Sequence, residues 1–386
     1  MAEILLDVNG WQSLFDFAGG EPKDIPDERP DLALAQRIAA EHPYPGDTNP
    51  DSFKWVTDTA LDLYRSYSPD FFFLSYANTN LIKVNTETDA DAYRTLNKLA
   101  VSEAMRFAET TGYTPILVST GDMKKFENII DTENLESYLS LSTGDPYTAG
   151  LFEPTEKDLA YIERLEGLSF EKKESFCKKY PSMTEAAKEG LPDVMLFADE
   201  HYAFTRCGYR GLTMQVMPVK QKYCTAYSTF DDLPDDIFDF RAYIDKKLDE
   251  GHRIALIVIE CVEEEDMPEG AKRVNRYKNG AYYIEGTGFY YALCSSKEFF
   301  EPDMPYLFHN TNLVNRSERM NPFSYIRSDN YQNPLGLRPD KKTAAVGTRS
   351  GITHSCLMCD FCVECHSRGL AESGVLVFLN DKERAI

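Results

Sequence analysis

Short apolar runs that stop abruptly at polar residues constrain this chain more than any other feature. Ile4-Leu5-Leu6 ends at Asp7 and the pair Asn9-Gly10. Phe71-Phe72-Phe73-Leu74 leads into Ala77-Asn78-Thr79-Asn80. Ile116-Leu117-Val118 leads into Thr120-Gly121-Asp122. Unbroken apolar runs of this length, bounded by turn formers, read as buried strands. Between them the apolar residues change period. Phe53, Val56, Ala60, Leu63 and Tyr64 share one side of a helix over 53–66. Residues 89–110 form a second amphipathic helix, with Asp89 as its N-cap and Gly112 as its stop. Strand, helix, strand, helix, strand predicts an α/β fold, a mainly parallel sheet with crossover helices. Such sheets keep their chemistry at the carboxyl ends of the strands. Here those ends carry Asp7, Asn9, Asn78, Asn80, Thr120 and Asp122.

The second half has a different texture. Residues 191–198 predict a strand that ends at Asp199-Glu200-His201, a triplet that suits either acid–base work or a solvated turn. Residues 238–250 predict a helix, and 253–260 hold the most apolar strand of the chain. Residues 282–285 and 289–294 flank Gly286-Thr287-Gly288, which reads as a hairpin turn rather than a nucleotide loop. Residues 374–379 predict a last strand. A length of 386 residues suits two domains. The expected division is an α/β domain over 1–215 and a smaller mixed α+β part over 216–386.

Charge narrows the partners. Lys plus Arg total 41 against 63 Asp plus Glu, a formal charge of −22. Such a surface repels phosphate backbones and anionic lipid heads, which argues against nucleic-acid and membrane partners. A small molecule, either an anionic substrate or a redox partner, is the expected ligand. The run Glu263-Glu264-Glu265-Asp266 reads as a solvated loop. The start, MAEILLDVNGW, has no basic segment followed by a long apolar one, and no stretch reaches the length of a membrane span, so a cytoplasmic location is expected. Arg316, Arg319, Arg327, Arg338 and Arg349 form a local basic set that would hold a carboxylate or phosphate, or pair with surface acids.

Nine cysteines in a reducing compartment are expected as thiols or metal ligands. Four of them, Cys356, Cys359, Cys362 and Cys365, repeat at three-residue spacing, and His366 follows. Thiolates are soft ligands suited to zinc and iron–sulfur centres. Cys356, Cys359 and Cys362 match the first three positions of a ferredoxin-type run, whereas Cys365 comes one residue early. An iron–sulfur cluster is the leading expectation. Zinc would use one Cys pair with a histidine or a remote cysteine. The pattern Cys362-Val363-Glu364-Cys365-His366 has c-type haem spacing, which requires export. Four thiols packed as small hydrophobes is the remaining reading. Arg349 and Arg368 flank the segment and would offset thiolate charge or bind an anionic cofactor.

In layout, residues 1–210 resemble the alkaline-phosphatase superfamily, especially its phosphodiesterase-like members. The opening strand ILLDVNG ends in an acid. PDFFFLSYANTN stands where that family has a strand of the kind PD-apolar-apolar, TPILVSTGDM where it carries V-S-D-H-G-M, and LPDVMLFADEHYAF before its last metal ligand. The resemblance implies a hydrolase of phosphate or sulfate esters with two metal ions held by Asp and His at strand ends. It implies Asp7 as a ligand, Asp122 as a substitute at the third strand, and Ser13 as the nearest nucleophile. The D-H pair itself is replaced by Thr120-Gly121, Asn78 and Asn80 stand in for an Asp, and no histidine lies near 206–209. Hard divalent ions need carboxylates or imidazoles, so the implied ligand set is degraded. A scaffold that kept the fold without the chemistry is the third expectation.

Overall fold

The computed structural model describes residues 3–17, 20–86, 89–125, 127–141, 146–204, 216–284, 286–298, 301, 335–336, 338–349, 357–368 and 372–380. Its main sheet has 11 strands. Five lie side by side and run parallel: Thr114–Ser119, Ile254–Ile259, Phe71–Tyr76, Thr343–Gly347 and Phe361–Arg368. Antiparallel strands flank them. Tyr223–Ser228 and Lys272–Asn275 extend one side. Glu372–Leu379, Glu3–Val8, Trp11–Asp16 and Pro22–Lys23 extend the other.

The sheet is therefore mixed, with its parallel part confined to the centre, and not mainly parallel. The connections explain why. Asn9 (φ 53°) and Gly10 (φ 78°) join Glu3–Val8 to Trp11–Asp16. Two residues with positive φ make a tight hairpin turn, and so short a link joins only antiparallel strands. Parallel neighbours in the centre come from distant parts of the chain. The division expected near residue 215 falls inside this one sheet: Ile254–Ile259 lies between Thr114–Ser119 and Phe71–Tyr76.

Helices cover both faces. Phe72, Leu74, Ile257 and Val346 pack under Pro30–Glu41, Asp51–Tyr67 and Ala90–Thr111. Phe71, Phe73, Leu256 and Val258 face the other way, toward Phe240–Asp249 and Gly286–Ser295. Burial on two faces is why these strands read as continuous apolar runs. Helix Ala90–Thr111 begins and ends as its sequence suggests. The Asp89 carboxylate accepts from the Ala92 N–H at 2.8 Å, and Gly112 closes the helix at φ 72°.

Two expected elements differ. Residues 286–295 form a helix instead of a hairpin. Every residue from Phe289 to Cys294 is buried, and an all-apolar run has no period to separate helix from strand. Val194–Ala198 is a strand, but it belongs to a second, four-stranded antiparallel sheet with Leu168–Lys172, Thr148–Phe152 and Tyr138–Leu141. No helix among the described residues is long and apolar enough to cross a membrane.

The cysteine segment is a strand from Phe361 onward. Alternation on a strand puts Cys362 on one face of the main sheet and Cys365 on the other, in different apolar clusters. Burial pushes the Cys362 thiol well above its ordinary range, and Cys224 up to about 12. Both stay neutral in the folded chain while unfolded thiols ionise near pH 9. Their contribution is complete below that pH and is lost as pH rises from about 9 toward 12. Urea midpoints are therefore expected to fall between pH 8 and pH 10.5, and Cys224→Ala is expected to flatten that fall. Asp89→Ala is expected to cost about 1 kcal/mol of stability at pH 7, measured by the same unfolding curves.

Candidate functional site

The five parallel strands end at one edge, and polar groups gather there because the two-sided burial of the strands leaves few places for them. Glu260 follows Ile254–Ile259 and is fully buried. Arg349, two residues beyond Thr343–Gly347, forks onto it. Its Nε donates to Glu260 Oε1 at 2.8 Å, and its Nη2 donates to Oε2. Asn80 Nδ2 donates to Oε2 at 3.1 Å, and the Tyr290 hydroxyl donates to Oε1 at 2.9 Å. The Ser75 hydroxyl lies 2.6 Å from the Tyr290 phenol oxygen and completes its contacts. A buried carboxylate is tolerable only with such partners. Burial and the Glu260 charge hold the Tyr290 phenol well above its ordinary range.

Two further cations tie the edge loops together. Lys83, fully buried, donates to the Cys261 carbonyl at 2.6 Å and reaches Glu263 at 3.2 Å. Arg276, also fully buried, donates to the carbonyls of Thr120, Ile284, Val219 and Gln221. Cys261 takes φ 57° directly after Glu260, an uncommon conformation for a residue with a β-carbon. The turn is held by the Cys261 N–H donating to Thr120 Oγ1 at 2.9 Å.

Asp122 sits in the loop after Thr114–Ser119, half-buried. Its carboxyl is raised above the ordinary range. Burial is the main cause and the Glu263 charge adds to it, while Lys83 and Arg276 pull the other way. Gly121 (φ 94°) gives the loop its bend, and a β-carbon there would press on the Arg276 guanidinium.

The other sequence candidates lie elsewhere. Asp7 ends a strand six positions away from Thr114–Ser119 in the sheet, roughly 30 Å at ordinary strand spacing. Its carboxylate accepts from Gln12 Nε2 at 2.9 Å and from the Gly10 N–H at 3.2 Å, so it caps the hairpin. Ser13 is exposed on that hairpin, opposite Leu6. Asp7, Ser13 and Asp122 are therefore not brought together. Arg349 is engaged by Glu260. Arg368 ends the Phe361–Arg368 strand, paired in register with Glu372. Asp199, Glu200 and His201 form an exposed turn.

Among the described residues, Cys359, Cys362 and Cys365 do not all lie on one side of the sheet. Cys356 lies outside the described residues. Cys359 and Cys362 share one apolar cluster, and Cys365 lies across the sheet from them. His366 follows on the Cys362 side, level with Gly374. A single iron–sulfur or zinc centre held by Cys362 and Cys365 together does not fit a strand. Residues 361–368 pair as a strand with 343–347 and 372–379, so no tight turn runs through Cys362 and Cys365. Among the described residues, one group brings three potential metal ligands together: Glu41, His42 and Asp62. Arg37 already bridges Asp62 and Glu41 at 2.7 Å each, which disfavours a cation there.

Sequence reading missed Glu260, Lys83 and Arg276. The signal for Glu260 was present, since Ile254–Ile259 is an apolar run ending in an acid, the same pattern that singled out Asp7. Lys83 and Arg276 carry no local signal, because their partners are carbonyls from distant loops.

No protein-family model matches the chain, and no curated protein matches it. Among solved structures it is similar to phosphonoacetate hydrolase from Sinorhizobium meliloti 1021, in complexes with phosphonoformate and with phosphonoacetate. The TM-scores are 0.34 and 0.35, at 11% and 12% identity. Each match covers 44% of this chain and 48% of the other, so the chain spans about half the length of the structures it matches. A likeness of this extent assigns no family and transfers no residue role.

Proposed function

We propose that this chain hydrolyses small phosphate or sulfate esters at the carboxyl edge of its central strands, with Asp122 as the proton-transfer group. The carrying observation is the Asp122 carboxyl itself: half-buried, at a strand end, and raised above its ordinary range beside Glu263. A carboxyl raised in this way keeps its proton to higher pH, which suits protonation of a leaving oxygen. Lys83 and Arg276 place positive charge near it and offset part of the negative charge of Glu263 and Glu264. Glu260 and Arg349 hold the neighbouring loops in place and are positioning residues.

Turnover of 4-nitrophenyl phosphate, phenyl phosphate and 4-nitrophenyl sulfate, each with magnesium, manganese or zinc, tests this. Asp122→Asn is expected to lower kcat/KM by about 100-fold or more on phenyl phosphate, and less on the nitrophenyl ester, whose leaving group needs no proton. An acid must be protonated to act, so the rate should decline as pH rises through the raised Asp122 value, and that limb should vanish in Asp122→Asn. Asp7→Asn is expected to leave kcat/KM within about threefold, given its lateral distance from Asp122 along the sheet. No turnover of any ester by the unmodified chain would sink the proposal.

The Glu260–Arg349 pair makes a separate expectation. Arg349→Met strands a buried carboxylate and is expected to cost about 3–5 kcal/mol in urea unfolding. The double change Glu260→Leu with Arg349→Met is expected to recover most of that loss, because two apolar side chains leave no uncompensated charge.

A further inference from the structure

A half-open cavity of about 350 Å³ lies between the second sheet and the ribbon formed by Tyr277–Lys278 and Ala281–Tyr282. Its floor is one face of that sheet. Strand register sets Phe197 level with Thr148 and Ser169, and Met195 level with Glu171, so Thr148, Ser169, Glu171 and Phe197 alternate onto the same side. Phe176 and Tyr180, whose rings lie 4.7 Å apart, form one wall from the helix Lys173–Lys179 and the residue after it. Ala281 and Tyr282 of the ribbon form another. The Tyr180 hydroxyl donates to the Asn279 carbonyl and ties the two walls together. Phe197 and Tyr282 are only half-buried.

The charged residues of the lining are Glu171, Lys179 and Lys220, and all three are engaged. Lys179 pairs with Glu171 at 2.6 Å. Lys220 donates to the Ala198 carbonyl at 2.8 Å and stands over the Tyr147 and Tyr282 rings. An ionic guest would give up hydration here without gaining an opposite charge to pair with. From this geometry we propose that the cavity binds a small uncharged aromatic molecule of one or two rings. The volume suits such a guest. Phe197, Phe176, Tyr180 and Tyr282 offer edge and face contacts to a flat ring. Covering the half-buried Phe197 and Tyr282 also removes apolar surface from water. The open side leaves a hydroxyl on the guest in contact with solvent. The cavity stands whether or not the strand edge hydrolyses esters.

Isothermal titration of the full chain with 2-naphthol, with its saturated analogue decahydro-2-naphthol and with naphthalene-2-carboxylate tests this. The naphthol is expected to bind with a Kd below about 1 mM. It is expected to bind about threefold or more tighter than the saturated analogue, which lacks a ring face, and no more weakly than the carboxylate. Ala281→Trp, which fills the space from the ribbon side, is expected to abolish binding. Phe197→Ala, which removes the floor, is expected to weaken it by about fivefold or more. Absence of heat with 2-naphthol, equal affinity for the saturated analogue, or tighter binding of the carboxylate would overturn the proposal. So would an unchanged affinity for 2-naphthol in whichever of the two variants keeps the circular dichroism of the unmodified chain.

Discussion

Burial of the central strands on both faces is the constraint on which the rest depends. A strand covered by helices on two sides has no position for a polar side chain that is not costly. Phe71–Tyr76 and Ile254–Ile259 are buried at every residue. All polar function is thereby displaced to where the strands stop. The ends of five parallel strands then concentrate it along one line, to which the flanking strand Lys272–Asn275 adds Arg276.

What gathers at the line must neutralise itself. Glu260 is buried and would be destabilising alone, and Arg349, Asn80 and Tyr290 share its oxygens. Each comes from a different segment, so one carboxylate fixes the relative placement of two helices and a loop. Arg276 does the same with carbonyls instead of a charge partner. The loop that carries Asp122 is gripped from both sides, through Thr120 and Val219. A group with an altered proton affinity is useful only if it is held in position, and these contacts hold it.

Much of the frame was legible from the residues. Two-sided burial makes short apolar runs, and the N-cap Asp89 and the stop Gly112 mark their helix in plain terms. The parallel centre followed from the alternation of periods. The antiparallel margins did not, although Asn9-Gly10 between alternating residues is a strong hairpin signal. The helix at 286–295 was illegible, because a run buried on all sides carries no period. The edge was half legible. Asp122 stood at a strand end and Asp7 looked equivalent to it, but only strand order shows that Asp7 lies at the far margin. Three-residue cysteine spacing converges on a tight turn and diverges across a sheet, and the strand pairing of residues 361–368 puts Cys362 and Cys365 on opposite faces.

The position of Thr343–Gly347 has a kinetic consequence. This strand fills the gap between Phe71–Tyr76 and Phe361–Arg368, yet it follows Tyr76 by roughly 270 residues. At ordinary synthesis rates the ribosome needs roughly 15–50 s to reach it. During that interval one edge of Phe71–Tyr76, among the most apolar segments of the chain, has no partner. Long-range pairing of this kind is slow, and an open apolar edge invites association with other chains. The yield of folded chain should therefore depend on temperature during synthesis as well as on the stability of the finished fold.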